Sequence, residues 1–232
     1  MTAKKNMCIY ISRLAVSLVL LLPLTVMAQG GKKKIAPSVE PDTIPFYRGV
    51  AVSVDAVGPG MLLFGDYGQL EGSVRVNLKD KYFPTIELGL GKSDATDDVT
   101  LITYKTSAPF VRIGCDYNLT KNKHDIYRVL GGVRYAFSSY KYDVSHPGVT
   151  DPIWGDVAMW GSKDMKGNCH WLEFGVGVDA KIWGPIRLGW SARYRKRLMH
   201  KDDDMGAAWY VPGFGKKGNS RLGALFNITV EL

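Results

Sequence analysis

The sequence predicts an all-β fold, an eight-stranded antiparallel transmembrane β-barrel of outer-membrane type. Three observations point there: an N-terminal segment with the form of an export signal, eight recurrences of two-residue alternation, and connections that alternate between tight and long.

The first segment stands apart from the rest. Lys4, Lys5 and Arg13 precede an apolar run from Leu14 to Leu24, and Val26-Met27-Ala28 supplies small residues where a signal peptidase cuts, so residues 1–28 read as a cleaved signal and Gln29 as the mature N-terminus. The apolar run is too short to span a bilayer comfortably. Cys8 lies before that run, whereas a lipidated cysteine would follow it. Removing the signal takes away three cations and no anion, which lowers the formal charge from +8 to about +5; nucleic-acid binding is not indicated. Of three cysteines, Cys115 and Cys169 remain, too few and too far apart for a disulfide framework. Residues 29–46 carry three lysines and three prolines and read as a flexible lead-in on the periplasmic side of a barrel formed by residues 47–232.

From Tyr47 onward no stretch holds twelve residues of helical periodicity. Alternating runs of about ten residues recur instead, a length that suits a tilted membrane strand. In the seventh, Ile186, Leu188, Trp190, Ala192 and Tyr194 share one face, against Arg187, Gly189, Ser191, Arg193 and Arg195 on the other. The sixth sets Leu172, Phe174, Val176, Val178, Ala180 and Ile182 against Glu173, Gly175, Gly177, Asp179 and Lys181; the eighth sets Ala224, Phe226, Ile228, Val230 and Leu232 against Gly223, Asn227, Thr229 and Glu231. The fifth opposes Val129, Val133, Tyr135 and Phe137 to Arg128, Gly132, Arg134 and Ser138, and the fourth opposes Val111, Ile113, Cys115, Tyr117 and Leu119 to Arg112, Gly114, Asp116 and Asn118. The first three agree, with Val50, Val52 and Val54, then Leu70, Val74, Val76 and Leu78, then Ile86, Leu88 and Leu90 on the apolar face.

A soluble barrel or sandwich also alternates, with its apolar face inward. Three features favour the inverted arrangement. Tight connections near Asp80, Asn122 and Gly184 alternate with long ones at 59–67, 93–107, 143–168 and 197–220. Aromatics gather toward the short-turn end (Phe46, Tyr47, Tyr82, Phe83, Tyr117, Tyr127, Trp183) and again toward the other (Tyr135, Phe137, Tyr194), as two interfacial girdles would. Glycines on the polar face leave room for long charged neighbours inside a narrow barrel.

An interior of this bore is filled by its own side chains, so its charges should pair. The expected network comprises Arg75, Glu87, Arg112, Asp116, Glu173, Asp179, Arg187, Arg193, Arg195 and Glu231, together with Asp55, Glu71, Arg128, Arg134 and Lys181. A three-residue turn, Trp183-Gly184-Pro185, would set Ile182 opposite Ile186 and therefore Glu173 opposite Arg195.

The long loops hold Trp154, Trp160, Trp209, Tyr210 and Phe214, which either form an outward rim for a protein, glycan or lipid partner or pack the loops into a cap. His146, His170 and His200 lie in or near the same loops, with Ser145, Ser162 and Asp202 to Asp204 as conceivable partners, yet no spacing matches an esterase or protease signature. The run Lys201 to Gly206 has the acidic start of a calcium loop without its later Glu ligand. No catalytic residue, metal site or cofactor is expected. The reading is a monomeric, exported outer-membrane barrel in contact with membrane lipid, with a structural or surface-interaction role; an outer-membrane enzyme acting on lipid or peptide, or a narrow solute pore, is the alternative.

Two segments, FYRGVAVSVDAVGP at 46–59 and KYFPTIELGLGKS at 81–93, bear on family. On them the chain resembles the outer-membrane barrel families of Bacteroidota, most closely the domain of unknown function 6048. The resemblance implies an outer-membrane β-barrel and carries over no catalytic or binding residue. The chain departs from the wider barrel group in ending on Leu232 rather than an aromatic, with Asn227 where that group often has Gly.

Overall fold

The computed structural model describes residues 45–150, 155, 157–201 and 208–232. The expected signal, residues 29–44 of the lead-in, Trp154 and Asp202 to Asp204 lie outside them. Eight strands close into one antiparallel barrel: β1 (Tyr47–Asp55), β2 (Tyr67–Leu78), β3 (Tyr82–Thr96), β4 (Thr103–Asn118), β5 (Tyr127–Thr150), β6 (Val157–Trp183), β7 (Ile186–Lys201) and β10 (Ser220–Glu231), with β1 closing on β10. A helix, α1 (Val57–Phe64), follows β1, and a small hairpin of β8 (Tyr210–Val211) and β9 (Gly215–Lys216) precedes β10.

The faces follow the alternation. On β6, Phe174, Val176 and Val178 are exposed while Glu173 and Asp179 are buried; on β3, Ile86, Leu88 and Leu90 are exposed while Thr85 and Glu87 are buried. The barrel therefore carries its apolar residues outward and its charges inward, the inverse of a soluble barrel. No helix among the described residues is long and apolar enough to cross a membrane.

The long connections differ from expectation. Much of 93–107, 143–168 and 197–220 is strand, because alternation persists beyond the girdle: Ala95, Tyr140, Tyr142 and Met165 are buried, and β5 and β6 stay paired up to Thr150↔Val157. The connection at 59–67 is mostly α1, an eight-residue helix too short for a periodicity search to catch. Its start is held by Asp55, whose carboxylate accepts the amides of Val57 (3.2 Å) and Gly58 (2.8 Å), satisfying donors that a helix leaves open.

At the short-turn end, Lys79 and Asp80 both have positive φ, and Lys81 N donates to Leu78 O (3.0 Å), which is the type I′ geometry that matches strand twist. The β6–β7 turn is tighter than expected. Trp183 stands opposite Ile186 across Gly184-Pro185, and a bulge between Lys181 and Trp183 absorbs the extra residue, so Lys181↔Arg187 and Glu173↔Arg195 are paired as the three-residue count had them.

Candidate functional site: the filled lumen

The polar faces of all eight strands converge on the barrel axis. Nearest the short turns, Asp80 is a buried hub: it meets Arg48, Arg128 Nη2 (3.0 Å), His124 Nδ1 (2.8 Å) and Asn77 Nδ2 (2.6 Å), while Asn118 Nδ2 donates to its carbonyl (3.0 Å). Asp80 loses solvation by burial, yet these donors outweigh that loss and hold its carboxyl below the ordinary value. Above it, Arg128 pairs with Glu231 (2.5 Å), Arg187 with Asp179 (2.6 Å), and Arg75 with Asp179 (3.3 Å) and Asp116 (3.9 Å).

At mid-height the pairs share partners. Glu87 receives Arg193 (2.6 Å), Arg134 (2.9 Å) and Arg112 (3.2 Å); Arg112 also reaches Glu71 (2.6 Å) and Glu173 (2.8 Å); Arg134 holds Asp116 (2.7 Å). Glu173 accepts Trp171 Nε1 (2.7 Å) and lies 3.3 Å from Arg195 Nε. Buried charges are tolerable only when paired this completely. Two residues grouped with these charges behave otherwise. Among the described residues Asp55 has no cation and serves amides instead, those of Val57, Gly58 and Phe226, and Lys181 is exposed beside the bulge.

Toward the long-loop end the lumen turns apolar, and here two of the aromatics read as either rim or cap pack inward. The β8–β9 hairpin folds into the barrel instead of facing out. Phe214 is 0% exposed and packs edge-on against Trp171 with ring centroids 5.8 Å apart, and Tyr210 is buried with its hydroxyl on Gly68 O (3.3 Å). The ion-pair network grips the hairpin by its backbone: Arg112 Nη2 donates to Gly213 O (2.9 Å) and Arg195 Nη1 to Phe214 O (3.1 Å). Gly213 has φ +81°, and any Cβ there would collide with the Phe110 ring, so glycine is required. Burying an aromatic and satisfying otherwise idle guanidinium protons both favour the inward position. Tyr210 and Phe214 are thus plug residues, not rim residues. Trp209 is half-buried against Tyr67 and Lys216. Of the expected rim residues that are described, Trp160 alone is well exposed, at 44%, stacked on His146 near the tip of the β5–β6 hairpin.

The remaining candidates find other partners. His146 Nδ1 accepts Gly148 N (3.0 Å), His170 Nδ1 lies 2.6 Å from the Tyr135 hydroxyl on the outer face, and His200 is exposed on β7. Phe83, expected in a girdle, points inward beneath Arg75 and Arg128. Cys115 is exposed and Cys169 buried, and neither is in a disulfide. Among the described residues no group of three or more His, Cys, Asp or Glu could hold a metal ion. Sequence reading placed Asn77 on the inward face but missed Arg48, Asp80 and His124, because a Lys-Asp pair in a turn looks like solvated surface until the turn folds under the barrel.

Fold and lumen together define a class: an eight-stranded β-barrel of the outer-membrane type, apolar outside and filled inside. The model of the domain of unknown function DUF6048 matches residues 10–232, and the chain belongs to that family. No curated protein sequence matches the chain. Among solved structures it is similar to Neisserial surface protein A (12% identity, 80% of this chain and 99% of that one, TM-score 0.43). It is also similar to a major outer membrane protein from Thermus thermophilus (16%, 79% and 98%, 0.42). A third is the attachment invasion locus protein Ail of Yersinia pestis, solved with the heparin analogue sucrose octasulfate (10%, 79% and 98%, 0.39).

Proposed function

We propose that the protein is exported by its cleaved signal and resides in the outer membrane of a Gram-negative cell. There it acts as a closed barrel with a structural or surface-interaction role, neither an enzyme nor a pore. The observation that carries this reading is the double filling of the lumen, by the arginine–carboxylate network and by the inserted β8–β9 hairpin, inside a wall whose outer side is apolar. With the β8–β9 hairpin turned inward, outward contact is assigned to the β5–β6 hairpin, where Val157, Met159 and Trp160 are exposed beyond the girdle, as Val99 and Leu101 are between β3 and β4. Such side chains, held away from lipid, suit a protein or glycan partner outside the cell.

The test is fractionation with an unheated and a heated detergent gel. A barrel of this kind should sediment with outer membranes and run faster unheated; recovery as a soluble periplasmic protein would remove the reading. Trp160→Ala should weaken capture of surface partners while leaving the heat shift intact.

A further inference from the structure

The barrel wall is incomplete at one place. β1 pairs with β2 only as far as Val54↔Gly72 and with β10 only as far as Asp55↔Asn227, with one further bond from Ala56 N to Phe226 O (2.9 Å). Yet β2 begins at Tyr67 and β10 at Ser220, so both run on toward the long-loop end with no strand between them. α1 covers the gap, seated closely on β2, where a Cβ on Gly68 would meet Leu62 at 2.7 Å. Against β10 it fits less closely, and a cavity of about 390 Å³ opens there. That is the size of a small-ligand site, of about 300–1,000 Å³.

Register gives the seam its height. Leu222 of β10 stands opposite Tyr194, a girdle residue, and is 81% exposed; Phe64 of α1 is 93% exposed. An unpaired strand edge is not tolerated in hydrocarbon, which confines this seam to the interface and calls for a cover. Inside it the chemistry changes. The Arg195 guanidinium lies against Gly223, where a Cβ would stand 3.2 Å from Nη2. Lys216 Nζ rests over the rings of Trp209 (4.7 Å) and Tyr67 (4.9 Å), and Arg221 Nε bonds Lys216 O (3.0 Å). Among the described residues neither Lys216 nor Arg221 has a carboxylate partner, and the Glu173 that faces Arg195 is shared with Arg112 and Arg193. Asp55 also lines the cavity, but its oxygens are taken by three amides.

We infer that the seam between α1 and β10 is a lateral binding site for a long-chain fatty acid of the outer leaflet. The carboxylate is drawn in to Arg195, Lys216 and Arg221, and the aliphatic chain lies out across Met61, Leu222 and Ala224 into the bilayer. Because Arg195 already faces Glu173 and Lys216 rests on two rings, the positive charge left to balance is small, and a single acid head suits it behind a narrow seam.

The inference rests on the membrane reading above, so the experiment separates the two. The mature chain in phosphatidylcholine nanodiscs is titrated with radiolabelled palmitate and with palmitate methyl ester, with empty nanodiscs as background. Saturable palmitate binding is expected, at least tenfold weaker for the ester, and weakened at least tenfold by Met61→Trp, which fills the cavity, and by Lys216→Glu. Lys216→Gln keeps the comparison readable should either variant fail to fold, and a severalfold loss is expected. Palmitate binding no greater than in empty discs, equal binding of acid and ester, or affinity unchanged in all folded variants overturns the site. Loss of the gel heat shift in the unsubstituted protein overturns the membrane reading itself.

Discussion

Glu173 on β6 stands opposite Arg195 on β7, with Arg195 Nε 3.3 Å from Glu173 Oε1, and the same guanidinium donates through Nη1 to the carbonyl of Phe214. One arginine thus ties the ion-pair network to the inserted hairpin. Removing its partner leaves Arg195 and Arg112 short of a buried counter-charge. Glu173→Ala should therefore destabilise the barrel by about 3–5 kcal/mol, read as a lower denaturant midpoint for loss of the gel heat shift. A double-mutant cycle with Arg195→Met should show coupling; strict additivity would refute the contact.

Lipid-facing and lumen-facing positions should respond differently to the same measurement. Val176→Arg places a charge on the outer face and should cost about 2–4 kcal/mol if near mid-bilayer. Ser191→Ala, which removes a buried hydroxyl that has no hydrogen-bond partner among the described residues, should be close to neutral. Gly177→Ser is a poor control, since a Cβ there would meet Ser191 Cβ and Trp190 O at 2.9 Å. Equal tolerance at Val176 and Ser191 would mean that the outer face does not meet lipid.

The plug predicts poor conduction. Purified protein in planar bilayers should give no stable large conductance steps. Phe214→Ala removes the aromatic anchor, a change that typically costs about 3–5 kcal/mol in a packed core. The loss should appear first as protease sensitivity within 208–217 while the barrel stays folded. Large steps from the unsubstituted protein would show that the hairpin does not close the bore.

Asp80 makes acid stability asymmetric. Its folded carboxyl is depressed by His124, Asn77, Arg128 and Arg48 against the opposing effect of burial. A depressed acid contributes stability that is fully present above the unfolded value of about 3.9 and is lost as pH falls through the lower folded value. Asp80→Asn should remove this contribution, so the variant should lose less stability than the parent between neutral pH and the acid limit. An unchanged acid limb would show that the hub is not what titrates.

Much of the barrel was legible along the chain, and particular residues show why. Ile186 to Arg195 alternate so regularly that only one face can be apolar, and the Glu173–Arg195 register followed from the distance to a turn, even though the turn proved to be two residues with a bulge. Alternation is a local property, and register propagates from it by counting. Phe83 was misplaced, and Tyr210 and Phe214 were left between rim and cap, for the opposite reason. An aromatic near a strand end suits a girdle, a rim or a lumen equally well until its neighbours across the barrel are known.

The sequence by itself determined the inward and outward faces, the number of barrel strands and most of the charges that share the interior, because those depend on periodicity two and on chain connectivity. Only the tertiary structure decided that the β8–β9 hairpin turns in, that β1 stops short and leaves a seam under α1, and that Asp80 is buried. Each of these depends on contacts between residues far apart in the chain, such as Arg112 with Gly213, β1 with β10 where the barrel closes, and Asp80 with Arg128. No local pattern encodes them, since they exist only once the barrel has closed.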